Sequence, residues 1–292
     1  MPTAVLPKRS AHSGDKEARY PLALLLNIVC LDAPLVALAW QELFARALGI
    51  AVRHDARLAL FLTAWLIYLA DRAADTFKLR GSDVLCIRQR FCLRHRRLWI
   101  VTLAFVGVAD GVCLWGSLDP HLFRPGLAVG AASIVYLIIN SLGRVWRLLP
   151  VKELLIGLLF SVGTFLAPAV VARELRPDIL LAFAAFAAVC TLNCIAIAAW
   201  ECDLDLLQGK ESIATRYLLT QSRICLLAVA IALVAIGLGL VLFNSATVLF
   251  CVAVSAALIG ILDLLKHQIA RDVRTAMADL ALLAPVLFIL AR

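Results

Sequence analysis

The sequence predicts an all-α, polytopic membrane bundle of about nine transmembrane helices, and three observations carry that prediction. Of the 292 residues, 63% are hydrophobic and 16% are Asp, Glu, Lys or Arg, against roughly 45–50% apolar and about 25% charged in soluble domains. Mean hydropathy is +0.94. Apolar runs of about 20 residues, the length that crosses the hydrocarbon of a bilayer, recur along the chain with charge confined to short stretches between them.

The order of elements follows from those runs. Residues 1–19 are polar, with Lys8, Arg9, Lys16 and Arg19, and read as a cytoplasmic tail. They do not read as a signal peptide, because the apolar run that follows exceeds a signal core. Residues 20–292 read as a single transmembrane domain. Spans are expected near 20–44, 56–76, 98–117, 122–142, 151–172, 178–202, 219–243, 245–264 and 274–291. The first is interrupted by Asp32 and Pro34, and only Asn244 and Ser245 separate the seventh from the eighth. Alternate sides of this layout carry twenty and seven Lys and Arg residues, with Arg72 inside the second span. The excess places the N-terminus in the cytoplasm and the C-terminus outside. No internal repeat, low-complexity tract or long linker interrupts the pattern.

The net charge of +8 does not indicate a nucleic-acid partner, because the basic residues sit where the positive-inside rule puts them. The nine cysteines lie mostly within or at the ends of apolar spans, with no CxxC and no Cys/His ligand spacing. They read as small buried hydrophobes, not as a disulfide framework.

Ionisable residues inside a membrane are costly and mark function by default. Two clusters stand out, at the cytoplasmic ends of the second and sixth spans. In the first, Tyr68, Asp71, Arg72 and Asp75 fall on one helical stripe, with the two acids one turn apart. Carboxylates so placed repel unless a cation lies between them. An oxygen-only ligand set of this kind suits Mg²⁺, which binds through one or two carboxylates together with substrate phosphates. The ordinary alternative is a span end whose acids pair with Arg72 and Lys78 among the headgroups. The second cluster runs from Asn193 and Cys194 through Trp200, Glu201, Asp203 and Asp205 to Gly209, Lys210, Glu211 and Ser212. Glu201 and Asp205 again share a face, while Asp203 points elsewhere on a continuous helix. Acids at a helix C-terminus oppose the macrodipole, so a compensating cation is favourable there. Arg72, Lys78, Arg144, Arg147, Lys152 and Lys210 supply positive charge nearby. Lys152, opening the fifth span, is the most specific of them, although a snorkelling lysine is the plain alternative.

This layout resembles the UbiA superfamily of intramembrane prenyltransferases, in which acidic motifs end helices two and six. Asp71 and Asp75 match the last two acids of the first motif, with Ile67-Tyr68 where the family has Asn-Asp. Glu201, Asp203, Asp205, Gly209 and Ser212 match the tail of the second motif, with Cys194 where an acid is usual. Tyr136 and Lys152 are similar to the family's Tyr…Lys region. The resemblance implies Mg²⁺ held by Asp71, Asp75, Glu201 and Asp205. It further implies an isoprenoid diphosphate contacted by Tyr68, Arg72, Lys152, Asn193 and Lys210, and transfer of the isoprenoid to an aromatic or lipid-like acceptor within the membrane. Tyr68 or Trp200 would face the electron-poor allylic carbon. Two other readings stay open: an intramembrane terpene cyclase, and a transporter or catalytically silent membrane protein. Transporters place polar groups near the midplane between repeats, which is not the pattern here. The Asp-Gly-x-x-Ala-Arg lead-in of CDP-alcohol phosphotransferases is absent.

Overall fold

The computed structural model describes residues 22–79, 84–116, 118–142, 151–217 and 220–290. The expected N-terminal tail, Arg144 and Arg147 lie outside the described residues. Among the described residues, fourteen α-helices run in the order α1 (Leu22–Ile28), α2 (Asp32–Leu48), α3 (His54–Thr76), α4 (Ile87–Arg94), α5 (Arg96–Gly116), α6 (Pro120–Leu142), α7 (Lys152–Ala172), α8 (Pro177–Trp200), α9 (Cys202–Leu207), α10 (Ile213–Arg216), α11 (Thr220–Val241), α12 (Ala246–Leu264), α13 (Arg271–Ala281) and α14 (Ala284–Leu290). No strand occurs among the described residues.

Among the described residues, six helices, α5, α6, α7, α8, α11 and the segment Phe243–Leu264 that contains α12, are long and apolar enough to cross a bilayer. Two bent pairs raise the number to eight: α1 with α2, at 99°, and α13 with α14, at 44°. α3 has the length of a span at 23 residues, but Asp71, Arg72 and Asp75 charge its last turns. The expected figure of nine is therefore not reached on apolarity and length alone. The break in the first span has a local cause. Pro34 has no N–H to continue the helix from α1 and is tolerated in the first turn of a new one. The chain turns at Cys30, which takes a left-handed φ of 58°, and restarts at Asp32, whose Oδ1 accepts the Ala33 N–H at 2.9 Å.

The apolar faces sort the helices by position. α8 and α12 have 56% and 61% of their apolar windows buried, against 22% for α5 and 17% for α6, so α8 and α12 are central and α5 and α6 peripheral. Trp40 of α2 stacks on Phe186 of α8, and Phe44 of α2 meets the same ring edge-to-face, in the main core. A second cluster joins Leu69 of α3 to Trp99 and Val106 of α5. Side chains such as Phe105, Val108 and Trp115 of α5 and Leu240 and Val241 of α11 point outward and exposed, as lipid-facing residues do. All nine cysteines are free, seven of them buried.

α7 packs along α8 at Gly157, where a Cβ would lie 2.5 Å from Thr191 Oγ1 and 2.7 Å from its backbone nitrogen. Small residues let membrane helices approach in this way. Gly157→Ala is expected to force α7 from α8 and to lower stability by about 1–3 kcal/mol. Gly163→Ala on the same helix, whose Cβ would meet Val129 at an ordinary 3.9 Å, is expected to be neutral. Thermal unfolding of the two variants in one detergent checks the contrast.

Candidate functional site

Residues from the C-terminal ends of α3 and α8 line one cavity of about 240 Å³. Tyr68, Asp71, Arg72 and Asp75 line it from α3, Lys152 from the first residue of α7, Asn193 from α8, and Glu201, Asp205 and Lys210 from the α8–α9 end and the loop beyond. The nine residues that the resemblance implies as metal ligands or diphosphate contacts thus border a single cavity. Lys78 is not among them and donates instead to the Ser141 carbonyl at 2.6 Å. Trp200 also faces away: its indole N–H donates to Asp263 Oδ1 at 2.9 Å and the Arg274 guanidinium lies 5.0 Å over its ring. The expectation that Trp200 faces the allylic carbon is therefore corrected, and Tyr68 is the aromatic residue of that pair that lines the cavity. α8 stops at Trp200, with Glu201 between it and α9. Helical bonding is kept through Glu201, whose N–H donates to the Ile197 carbonyl and whose carbonyl accepts the Asp205 N–H. It keeps the two acids on one side, while Asp203 is exposed.

The acids are held from several elements. Asp71 Oδ1 accepts from Asn140 Nδ2 of α6 at 3.0 Å. Asp75 Oδ2 pairs with Lys210 Nζ at 3.2 Å. Gly209, at a φ of 65°, supplies the left-handed turn after α9 that sends Lys210 back toward α3. Glu201 pairs with Arg88 of α4 and accepts from Thr275 Oγ1 of α13 at 3.2 Å. Burial disfavours the Arg88 charge, but Glu201 beside it more than restores it and holds the guanidinium above its usual range. Asp205 is pushed up to about 6, by burial first and by Glu201 next, against the pull of Lys210 and Lys152.

Further residues join the site from places the motifs do not mark. Arg88 and Gln89 come from α4, Glu153 from α7, Asn27 from α1 and Asp279 from α13. Asp279 carried a signal in the sequence, being an acid inside an apolar run. Arg88 carried none beyond its share of the basic excess. Glu153 Oε1 accepts the Ile213 N–H at 3.1 Å, fixing the chain beyond Lys210, and its Oε2 is buried without a partner. Arg72 Nη1 is likewise a buried donor without a partner.

No group of three or more His, Cys, Asp or Glu side chains able to hold a metal ion by themselves occurs among the described residues. The acids lie instead as two pairs, Asp71 with Asp75 and Glu201 with Asp205. This fits an ion that arrives with a phosphate and takes only one or two carboxylates from the protein. The charge around the cavity agrees: Asp71, Asp75, Glu153, Glu201, Asp205, Glu211 and Asp279 face Arg72, Arg88, Lys152 and Lys210. Anions would be repelled from that surplus of carboxylates without added cations.

No family model and no curated protein matches the sequence. Among solved structures, the apo form of a UbiA homolog from Aeropyrum pernix K1 superposes with a TM-score of 0.59 at 14% identity, covering 89% of this chain and 98% of that one. The fold is UbiA-like.

Proposed function

We propose that the chain is a Mg²⁺-dependent intramembrane prenyltransferase. It would move an isoprenoid group from its diphosphate to an aromatic or lipid-like acceptor. The observation that carries this reading is the cavity itself, where two carboxylate pairs from α3 and from the α8–α9 end face a buried guanidinium donor with no partner, with Ile67, Ile156 and Ile197 as apolar parts of the wall.

In this reading Asp71 and Asp75 on one side, and Glu201 and Asp205 on the other, would hold the divalent ion that accompanies the diphosphate. When bound, that ion stabilises negative charge on the departing pyrophosphate. Arg72 directs its free N–H at the phosphate oxygens. Lys152 and Lys210 add charge from the cavity wall, Lys210 exchanging Asp75 for phosphate. The Tyr68 ring lies beside the path of the allylic carbon, where an aromatic face stabilises positive charge. Its edge-to-face contact with Phe160, 6.5 Å between centroids, fixes the ring. Apolar walls exclude water from the electron-poor carbon and leave the acceptor to capture it. The basic excess places this mouth on the cytoplasmic side, with membrane lipid around the bundle.

Purified full-length protein in lipid nanodiscs, given geranyl, farnesyl or geranylgeranyl diphosphate, is expected to bind the diphosphate in Mg²⁺ and to lose it in EDTA. Absence of Mg²⁺-dependent binding to all three refutes the reading. Pyrophosphate release without any acceptor would redirect it to a cyclase.

A further inference from the structure

α4 has two faces, and the cavity accounts for only one of them. The helix lies in the connection between the end of α3 at Thr76 and the start of α5 at Arg96. It therefore sits at the end of the bundle where α3 lends Asp71 and Asp75 to the cavity. Its inner face is fastened. Cys92 is fully buried, the Ile87 N–H donates to Asp272 Oδ2 of α13 at 3.0 Å, and Phe91 packs on the cluster of Leu24, Ile28 and Ala276. From the same side Arg88 reaches Glu201 and Gln89 reaches Gln208.

The outer face is made of arginines. Arg90 and Arg94 are one turn apart and exposed, and Arg96 and Arg97 follow, also exposed, where α5 begins. Arg90 reaches the Leu85 carbonyl at 3.5 Å, and the Arg96 guanidinium lies 4.6 Å over the Phe77 ring. None of the four pairs with a carboxylate among the described residues. The surface then changes character within one turn: Leu98, Ile100 and Val101 are exposed and apolar, as residues against hydrocarbon are. The arginines thus stand at the level where hydrocarbon gives way to headgroups. The positive-inside rule places basic residues at such an end. It does not call for four exposed arginines and no acid between positions 90 and 97, beside the helix that carries Arg88 and Gln89 into the cavity wall.

We propose that Arg90, Arg94, Arg96 and Arg97 form a docking surface for anionic lipid headgroups, and that the docked leaflet keeps α4 seated against the cavity. Charge and level select the occupant. Headgroup phosphate oxygens accept the guanidinium N–H groups that no carboxylate takes, and each basic side chain at an anionic surface adds attraction that fades within a Debye length. Leu98, Ile100 and Val101 bring the bilayer to the edge of the patch. Attraction on the outer face reaches the site because Arg88 and Gln89 ride on the same eight-residue helix. No diphosphate enters this inference, and it holds or fails independently of the prenyltransferase reading.

The test follows backbone hydrogen exchange of the full chain in nanodiscs of phosphatidylcholine alone and of phosphatidylcholine mixed with phosphatidylglycerol. Amides of α4 are expected to exchange about tenfold or more slowly in the anionic discs, the scale set by several basic side chains at an anionic surface. Amides of α14, which packs on α2 and α12, are expected to be unchanged. High salt is expected to erase the difference. Arg90→Gln/Arg94→Gln/Arg97→Gln is expected to erase it at low salt; the three side chains are exposed, so the fold is kept. Inorganic phosphate added to phosphatidylcholine discs is expected to give no protection. Wild-type rates within about twofold in the two lipids overturn the proposal. So does a lipid difference that survives the triple variant, and so does protection by free phosphate alone, which would make the patch a site for loose anions. The wild-type comparison needs no variant to fold.

Discussion

Asp75→Asn and Asp205→Asn are each expected to lower pyrophosphate release from an isoprenoid diphosphate by about 100- to 1,000-fold, the scale of loss when stabilisation of developing negative charge is removed, here by weakening the hold on the ion that supplies it. Asparagine keeps the shape of aspartate, so the change falls on charge. Asp75 sits 3.2 Å from Lys210, with the two side chains 30% and 23% exposed. Losing that half-solvated ion pair costs the fold little. Asp205 makes no ion pair among the described residues and is already reluctant to ionise, pushed up to about 6 by burial and by Glu201 against the weaker pull of Lys210 and Lys152. A divalent ion is the partner that would relieve it. The effect should be carried by turnover together with a weaker dependence on Mg²⁺. Steady-state release across a Mg²⁺ titration, with thermal unfolding in parallel, separates lost chemistry from lost folding. If both variants stay within about threefold of wild type at saturating Mg²⁺, the carboxylate pairs do not hold the metal.

These two acids were legible in the sequence because their chemistry is local. Asp71 with Asp75, and Glu201 with Asp205, are i,i+4 pairs, and helical periodicity alone puts each pair on one face. The two pairs also close apolar runs on the same side of the membrane. Glu201 shows the limit of that logic. The helix does not continue unbroken through it as assumed, yet the Glu201–Ile197 and Asp205–Glu201 backbone hydrogen bonds preserve the facing the continuous helix predicted. What periodicity could not reveal is any group brought in by tertiary packing. Arg88 lies between spans, where every arginine reads as interfacial, and only the docking of α4 across the mouth turns it toward Glu201. Asp279 and Asp32 are separated by most of the chain and share the Asn27 amide because the first and last apolar stretches are both bent. Pro34 signalled the first bend, but no spacing rule says which distant helix would fill the angle. The span count suffered for a related reason: charges that mark α3 as functional also disqualify it as plain hydrocarbon-crossing helix.

Arg88 is the position where packing and chemistry are most tightly joined, and Arg88→Met is expected to destabilise the protein by about 3 kcal/mol. Removing one partner of a buried ion pair leaves the other charge uncompensated, at about 3–5 kcal/mol. The low end applies here, because the Arg88 and Glu201 side chains retain 16% and 9% exposure. The arginine also pins α4 to the end of α8, beside a Gln89–Gln208 amide pair at 3.1 and 2.9 Å. Its loss should therefore loosen the cover over the cavity. The decisive measurement is a double-mutant cycle. When both charges are removed together, no buried charge is stranded, so Arg88→Met/Glu201→Gln is expected to recover most of the stability that Arg88→Met loses. It is not expected to recover turnover, since Glu201 is also a proposed metal ligand. Stability restored without activity would show that the same carboxylate serves two roles: clamped by Arg88 for folding and presented to the metal for catalysis. If the double variant is as unstable as the sum of the singles, Arg88 stabilises α4 through contacts other than Glu201, and the mouth of the cavity is held by packing instead of charge.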